Sequence, residues 1–182
     1  MKFITGNKGK FNEVQSLLPN IKQLDIDLPE IQSLNPKDVI KVKINEALKY
    51  IQSEEEIIVE DTSVVFHEMN NLPGTFIKFF VDDLGVDGIW NLVKNFNNKD
   101  ATARTIFGYL DPHSNIHYFE GIIDGKIIEP KGSGFGFDPL FKPNASKKTF
   151  GEMTQEEKKM FNMRVIAINK LIEHRKKAEQ KP

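Results

Sequence analysis

Ile57-Ile58-Val59-Glu60-Asp61-Thr62-Ser63 is the stretch on which the fold turns. Three β-branched residues in succession mark a strand covered on both faces, because each side chain of such a strand points at apolar cover. A strand of that kind belongs to a sheet flanked by helices, which places the chain in the α/β class. The carboxylates that follow at once stand where open α/β sheets meet their ligands, beyond the carboxyl end of a strand.

Upstream, Lys2 to Thr5 reads as a strand, Gly6-Asn7 as a tight loop, and Phe11, Val14, Leu17 and Leu18 as the buried stripe of a helix. Asn35-Pro36 opens a second helix with an N-cap and a proline at the first helical position, and Val39, Ile40, Ile44, Ala47, Leu48 and Ile51 form its stripe. Downstream, two helical patterns, Phe76 to Leu84 and Ile89 to Phe96, are separated by Gly85. Ala101 to Asp111 and Ile116 to Ile123 are strand-like around Asp111-Pro112-His113-Ser114-Asn115, so a hairpin is expected, with a further short strand at Lys126 to Ile128. Thr154-Gln155-Glu156-Glu157 is a capping box that announces a last helix, whose apolar face carries Phe161, Val165, Ile168 and Leu171. The expectation is a mixed α/β domain on a long twisted sheet, one domain over residues 1–182 with a charged tail over about 174–182 that ends the last helix.

With 182 residues and 39% hydrophobic content, the chain can bury roughly 70% of the surface its unfolded form exposes, enough for one self-sufficient core. Its 25 basic and 26 acidic side chains nearly cancel, which argues against non-specific holding of a nucleic-acid polymer or an anionic membrane and leaves room for a small anionic ligand. Met1-Lys2-Phe3-Ile4-Thr5 runs directly into strand with no secretory pattern, and no apolar stretch approaches the roughly 20 residues that span a bilayer, so a cytoplasmic protein is expected. The absence of cysteine excludes thiol catalysis, disulfides and Cys-ligated zinc.

Four segments could carry chemistry. Thr5, Gly6, Asn7, Lys8, Gly9 and Lys10 lie between a strand and a helix, where glycines, helix amides and lysines together suit a polyphosphate, although an ordinary surface turn would look the same. The loop is not a Walker A sequence, since both the upstream glycine spacing and the hydroxyl after the lysine are missing. Glu60 and Asp61, with Glu30 as a further carboxylate, offer the hard oxygens that Mg²⁺ prefers when it also binds phosphates; solvated loop caps are the alternative. In Gly132-Ser133-Gly134-Phe135-Gly136-Phe137-Asp138-Pro139, aromatics between glycines can make a slot for a flat base and Asp138 can accept from ring nitrogens, with core packing of the two phenylalanines as the competing reading. Lys158 and Arg164 are six residues apart, which on one continuous helix sets them roughly 120° from eclipsed, so one ligand reaches both only near the first turns. A base slot, a polyphosphate loop and a carboxylate pair are the three parts a nucleoside triphosphate requires.

On these residues the chain resembles the inosine triphosphate pyrophosphatase family, the Ham1-like purine nucleoside-triphosphate pyrophosphatases. The resemblance runs from Phe3 to about Arg164. It includes Thr5-Gly6-Asn7 with Lys10 and Glu13, Asp27-Leu28-Pro29-Glu30, Lys43 before Asn45-Glu46-Ala47, and Glu60-Asp61-Thr62. Further on it takes in Leu72-Pro73-Gly74 with Lys78, Gly134-Phe135-Gly136-Phe137-Asp138-Pro139, and Thr149-Phe150-Gly151-Glu152-Met153 leading into Glu157-Lys158.

What the resemblance implies is an elongated, two-lobed mixed sheet flanked by helices, a substrate cleft between the lobes, and a homodimer. It also implies Mg²⁺-dependent hydrolysis of ITP, dITP and XTP to the monophosphate and pyrophosphate, a reaction that cleans the nucleotide pool. By the same resemblance Thr5 to Lys10 with Lys43, Lys78 and Lys158 hold the triphosphate, Glu30 and Asp61 bind Mg²⁺, and Asp61 takes the proton of the attacking water. Phe135, Gly136, Phe137, Asp138 and Arg164 hold the base, with Thr62 and Met163 also against substrate. Where the family usually has Ser-His-Arg, this chain reads Asn162-Met163-Arg164, and methionine packs against a ring without replacing the hydrogen bonds of an imidazole. Two rival readings are a Maf-like pyrophosphatase acting on modified pyrimidine nucleotides, against which the Gly-Phe-Gly-Phe-Asp segment speaks, and a non-catalytic nucleotide sensor, against which the Glu30 and Asp61 carboxylates speak.

Overall fold

The computed structural model describes residues 1–51 and 55–180. Its frame is a seven-stranded mixed sheet made of β1 (Lys2–Ile4), β2 (Lys22–Leu24), β3 (Ile57–Phe66), β4 (Pro73–Gly74), β5 (Asp100–Leu110), β6 (Ile116–Ile127) and β7 (Phe141–Pro143). The order is β2-β1-β3-β5-β6-β7, with β4 pairing on β3. β1 runs parallel to both β2 and β3, with Lys2 opposite Lys22 and Ile57, whereas β3–β4 and β6–β7 are antiparallel. Around the sheet lie α1 (Lys8–Gln15), α2 (Pro36–Ala47), α3 (Ile77–Val93), α4 (Gln155–Phe161) and α5 (Met163–Glu179). Among the described residues no helix is long and apolar enough to cross a membrane.

The chain forms two compact units. One comprises Met1–Asp61, Thr105–Gly121 and Arg164–Pro182, and the other Thr62–Arg104 and Ile122–Met163. The first unit has two cores, one for each parity of β3. Ile58 packs with Phe3, Val14, Phe107, Ala167, Ile168 and Leu171, while Ile57 and Val59 pack with Ile40, Ile44, Ala47 and Ile106. This division follows from the period of two along a strand, and it confirms the double cover expected of the β-branched run. The second unit has its own core, in which Val64, Phe66, Ile77, Ile89, Phe137, Phe141, Phe150 and Met163 are buried.

Local signals in the sequence held where chemistry fixes the backbone. Asn35 caps α2 by accepting from the Lys37 amide, with Pro36 in the first turn, and Thr154 and Glu157 form the reciprocal capping box of α4. Gly85 breaks α3 at φ 65°, ψ 176°, in the left-handed region that a residue with a Cβ avoids.

Three expectations are corrected. The separate strand at Lys126 is part of β6, which runs through Asp124-Gly125 without a turn. The expected single last helix is two helices, because Asn162 is extended at φ −93°, ψ 123°. The rotation argument for Lys158 and Arg164 therefore does not apply, since they stand on different helices. The charged tail is helical as far as Glu179, and Lys181 and Pro182 lie outside the described residues.

Candidate active site

Glu60 and Asp61 end the part of β3 that lies in the first unit, and strand alternation sends their carboxylates to opposite faces. On the face shared with α5 and α1, Glu60 accepts from Arg164 Nε at 2.5 Å and Nη2 at 3.3 Å. Lys10 Nζ stands 2.9 Å from the same carboxylate, and Arg164 Nη1 reaches Glu13. Glu60 and Arg164 are 4% and 2% exposed, so this is a buried network in which each charge depends on the others. Burial works against the Arg164 charge, but Glu60 and Glu13 outweigh it and raise its pKa.

Asp61 faces α2. There Lys43, itself 6% exposed, donates from Nζ to Glu30 Oε1 at 2.7 Å and to the Glu60 carbonyl at 3.0 Å, and stands 3.7 Å from Asp61 Oδ1. Asp61 Oδ2 is buried and has no hydrogen-bond partner among the described residues. Burial pushes the Asp61 carboxyl up to about 6; Lys43 and Lys10 pull it down, and Glu30 and Glu60 push it further up. An orphaned acceptor of this kind costs roughly 1–3 kcal/mol unless something fills its lone pairs.

Among the described residues no group of three or more His, Asp or Glu side chains is arranged to hold a metal ion. Mg²⁺, however, keeps several waters and takes one or two carboxylates plus substrate phosphates, so a complete protein cage is not what its site needs. Glu30 and Asp61, joined through Lys43, with Oδ2 unfilled, fit that requirement.

The Thr5–Lys10 loop closes the gap between β1 and α1. Asn7 caps the helix by accepting from the Lys10 amide at 3.0 Å, and its own amide donates to Thr5 Oγ1 at 3.1 Å. Gln23 Nε2 holds the Thr5 carbonyl at 2.8 Å. Gly6, Asn7 and Lys8 are exposed at the helix N-terminus, where amides favour an anion.

The second unit carries the aromatic segment. Gly132, at φ 74°, lies so close to Gly151 that a Cβ would meet its carbonyl oxygen at 2.1 Å, and the Ser133 amide donates to that same oxygen at 2.9 Å. This clamp presents Phe135, half-buried, with Lys158 Nζ 4.6 Å over its ring. Lys158 also donates to Asp138 Oδ2 at 2.7 Å, and both side chains are buried. Lys158 therefore stands with the aromatic pocket residues of its own unit. Phe137 lies in the core, edge-on to Phe141 at 6.1 Å, so of the two phenylalanines Phe135 alone leaves its ring partly open. Met163 is buried in the same core, Lys78 is exposed on the first turn of α3, and Thr62 is half-buried on β3.

Glu60, expected beside Asp61 as a hard-oxygen carboxylate for Mg²⁺, is instead engaged by Arg164 and Lys10, and Glu13 had no expected role beyond its place in the resemblance. Glu13 follows Lys10 by three residues on α1 and so shares its face, which was the available signal. Glu60 and Arg164 are 104 residues apart, and no local pattern links them.

A covered mixed sheet, a buried strand aspartate facing a lysine, and a glycine-clamped aromatic loop define an α/β protein that carries a candidate active site. The chain belongs to the Ham1 family, whose pattern matches residues 1–174. It is 41% identical over 174 residues to inosine triphosphate pyrophosphatase of Schizosaccharomyces pombe, covering 93% of this chain and 91% of that one. It is 34% identical over 184 residues to the protein of the same name from Puccinia graminis, covering 94% of each. The Staphylococcus aureus Ham1 protein superposes with a TM-score of 0.80 at 22% identity over 99% of this chain and 100% of that one, and a Coxiella burnetii HAM1 protein does so with 0.80 at 20% identity over 97% and 99%. These two likenesses bear on the fold.

Proposed function

We propose that this chain hydrolyses non-standard purine nucleoside triphosphates, ITP, XTP and dITP, to the nucleoside monophosphate and pyrophosphate with the help of Mg²⁺. The observation that carries the reading is the buried Asp61 carboxylate, one oxygen facing Lys43 and the other unfilled, beside Glu30. The relatives named inosine triphosphate pyrophosphatase, similar over most of the chain, support the substrate class.

In this mechanism Glu30 and Asp61 hold Mg²⁺, which when bound neutralises phosphate charge. The Asp61 carboxylate accepts the proton of the water that attacks the α-phosphorus, a general-base role worth about 10²–10⁴ in rate. The Thr5–Lys10 loop offers amides and lysines to the phosphates, and Lys43, Lys78 and Thr62 add to that set. At the base, Phe135 offers a ring face and Asp138 accepts from a ring N–H; Lys158, expected among the phosphate lysines, is reassigned by its contact with Asp138 and donates to a 6-keto oxygen, so adenine, which presents a 6-amino donor there, is rejected. Arg164, expected at the base, is held by Glu60 and Glu13 within the first unit, and Phe137 and Met163 are packed in the core of the second. Hydrolysis at the α-phosphorus predicts inosine monophosphate and pyrophosphate in equal amounts from ITP, measured by chromatography. Release of the diphosphate and orthophosphate, or tight binding without turnover, contradicts it.

A further inference from the structure

The structure assigns a second role to Lys43: we infer that its ammonium is a tethered cation occupying the Glu30–Asp61 pair, and that a divalent ion must displace it, so metal binds well only together with a polyphosphate. The inference rests on the reading of Glu30 and Asp61 as metal ligands.

Lys43 rises from the middle of α2 and is almost fully buried, yet its Nζ is not aimed at open solvent as a lysine waiting for phosphate would be. Its ammonium is already engaged by Glu30 Oε1 at 2.7 Å and the Glu60 carbonyl at 3.0 Å, with Asp61 Oδ1 at 3.7 Å. One positive charge thus serves two carboxylates, and the trio carries a net charge of −1.

A divalent ion added to that trio would turn −1 into +1 with a like charge close by, in surroundings where screening is weak. The ammonium must therefore yield a carboxylate. Glu30 is the one able to exchange, because its side chain is 32% exposed on a loop while that of Asp61 is 7% exposed on a central strand. Displaced from Glu30, the ammonium needs another anion, and a triphosphate provides one. Metal alone has to break the Lys43–Glu30 pair with nothing to replace it, whereas a metal–nucleotide complex brings the replacement.

Mn²⁺ titrated into the metal-free protein by calorimetry, with no nucleotide present, tests this. Lys43→Met is expected to bind Mn²⁺ at least ~10-fold more tightly than the wild type, and Lys43→Arg, which keeps the charge, to bind as weakly as the wild type. Lys43→Gln, which removes the charge but keeps a polar N–H donor in the buried position, serves the same comparison should Lys43→Met fail to fold. Equal or weaker Mn²⁺ affinity in the neutral variants overturns the inference and leaves the metal reading standing. No Mn²⁺ uptake by any form, with or without a non-hydrolysable nucleotide, overturns the metal reading and the inference together.

Discussion

Glu60 and Asp61 are adjacent on β3 and face opposite ways, Glu60 gripping Arg164 Nε at 2.5 Å and Asp61 facing Lys43 Nζ at 3.7 Å. Two neighbouring carboxylates therefore have different work. The first is consumed by a buried ion network, and the second keeps an oxygen free for chemistry.

Substitution should separate the two. Asp61→Asn is expected to keep the fold and lose at least ~10²-fold in kcat. Glu60→Ala leaves the Arg164 guanidinium buried with a missing partner, which costs about 3–5 kcal/mol and lowers Tm by roughly 10 °C. Thermal scans beside steady-state kinetics on both variants check this.

The stability of the metal-free protein should depend on Asp61 in a definite direction. Burial raises its folded pKa to about 6 from an ordinary value of 3.8. A group raised in this way contributes stability that is fully present below about pH 4 and is lost as pH climbs through about 6. The loss is on the order of 2–3 kcal/mol, so Asp61→Asn should raise Tm at pH 8 and leave it unchanged near pH 4. Denaturation of both proteins across that range in EDTA measures it. A wild-type stability that rises relative to the variant between pH 4 and 8 contradicts the assignment.

Gly132 tests the aromatic loop. With φ at 74° and only 2.1 Å between an added Cβ and the Gly151 oxygen, Gly132→Ala must displace the clamp that carries Phe135. A destabilisation above about 2 kcal/mol and a raised KM for ITP are expected. Gly136→Ala is the informative contrast: its φ is 65° but nothing lies within 4 Å of the added atom, so it should cost less.

Base choice is expected to follow Lys158 and Asp138. Asp138→Asn weakens the partner of a buried ammonium at 2.7 Å and removes a carboxylate acceptor. The ITP-to-ATP ratio of kcat/KM should narrow at least ~10-fold, chiefly by loss on the ITP side.

How much of this was legible in the sequence depends on the range of the interaction. Asn35-Pro36, Gly85 and Thr154–Glu157 were readable because each acts on the backbone within a few residues of itself. Gly125 misled: it reads as a turn, but it lies in β6 opposite Pro143, where a Cβ would meet the Lys142 oxygen at 2.4 Å and the Phe141 ring at 2.7 Å. A strand glycine can mark close approach as well as reversal. The break at Asn162 was hidden because Phe161, Val165, Ile168 and Leu171 keep helical spacing, although Phe161 packs on the core of one unit and Ile168 and Leu171 belong to a core of the other.

Site residues were found as types and positions, and their partners were not. The pairings Lys43–Glu30 and Lys158–Asp138, and the Glu60–Arg164 contact, join residues from different elements, and only the folded chain decides which charges meet. Of the two phenylalanines in the glycine-rich loop, the sequence could not say which is spent in the core; Phe137 is, and Phe135 is partly open.

The most direct test of the central claim is pyrophosphate release from ITP, XTP, dITP, GTP and ATP, with Mg²⁺ and with EDTA. The account predicts release from ITP, XTP and dITP with kcat/KM at least ~10²-fold above ATP, abolished by EDTA. Equal kcat/KM across the five nucleotides, or release that persists in EDTA, would contradict it.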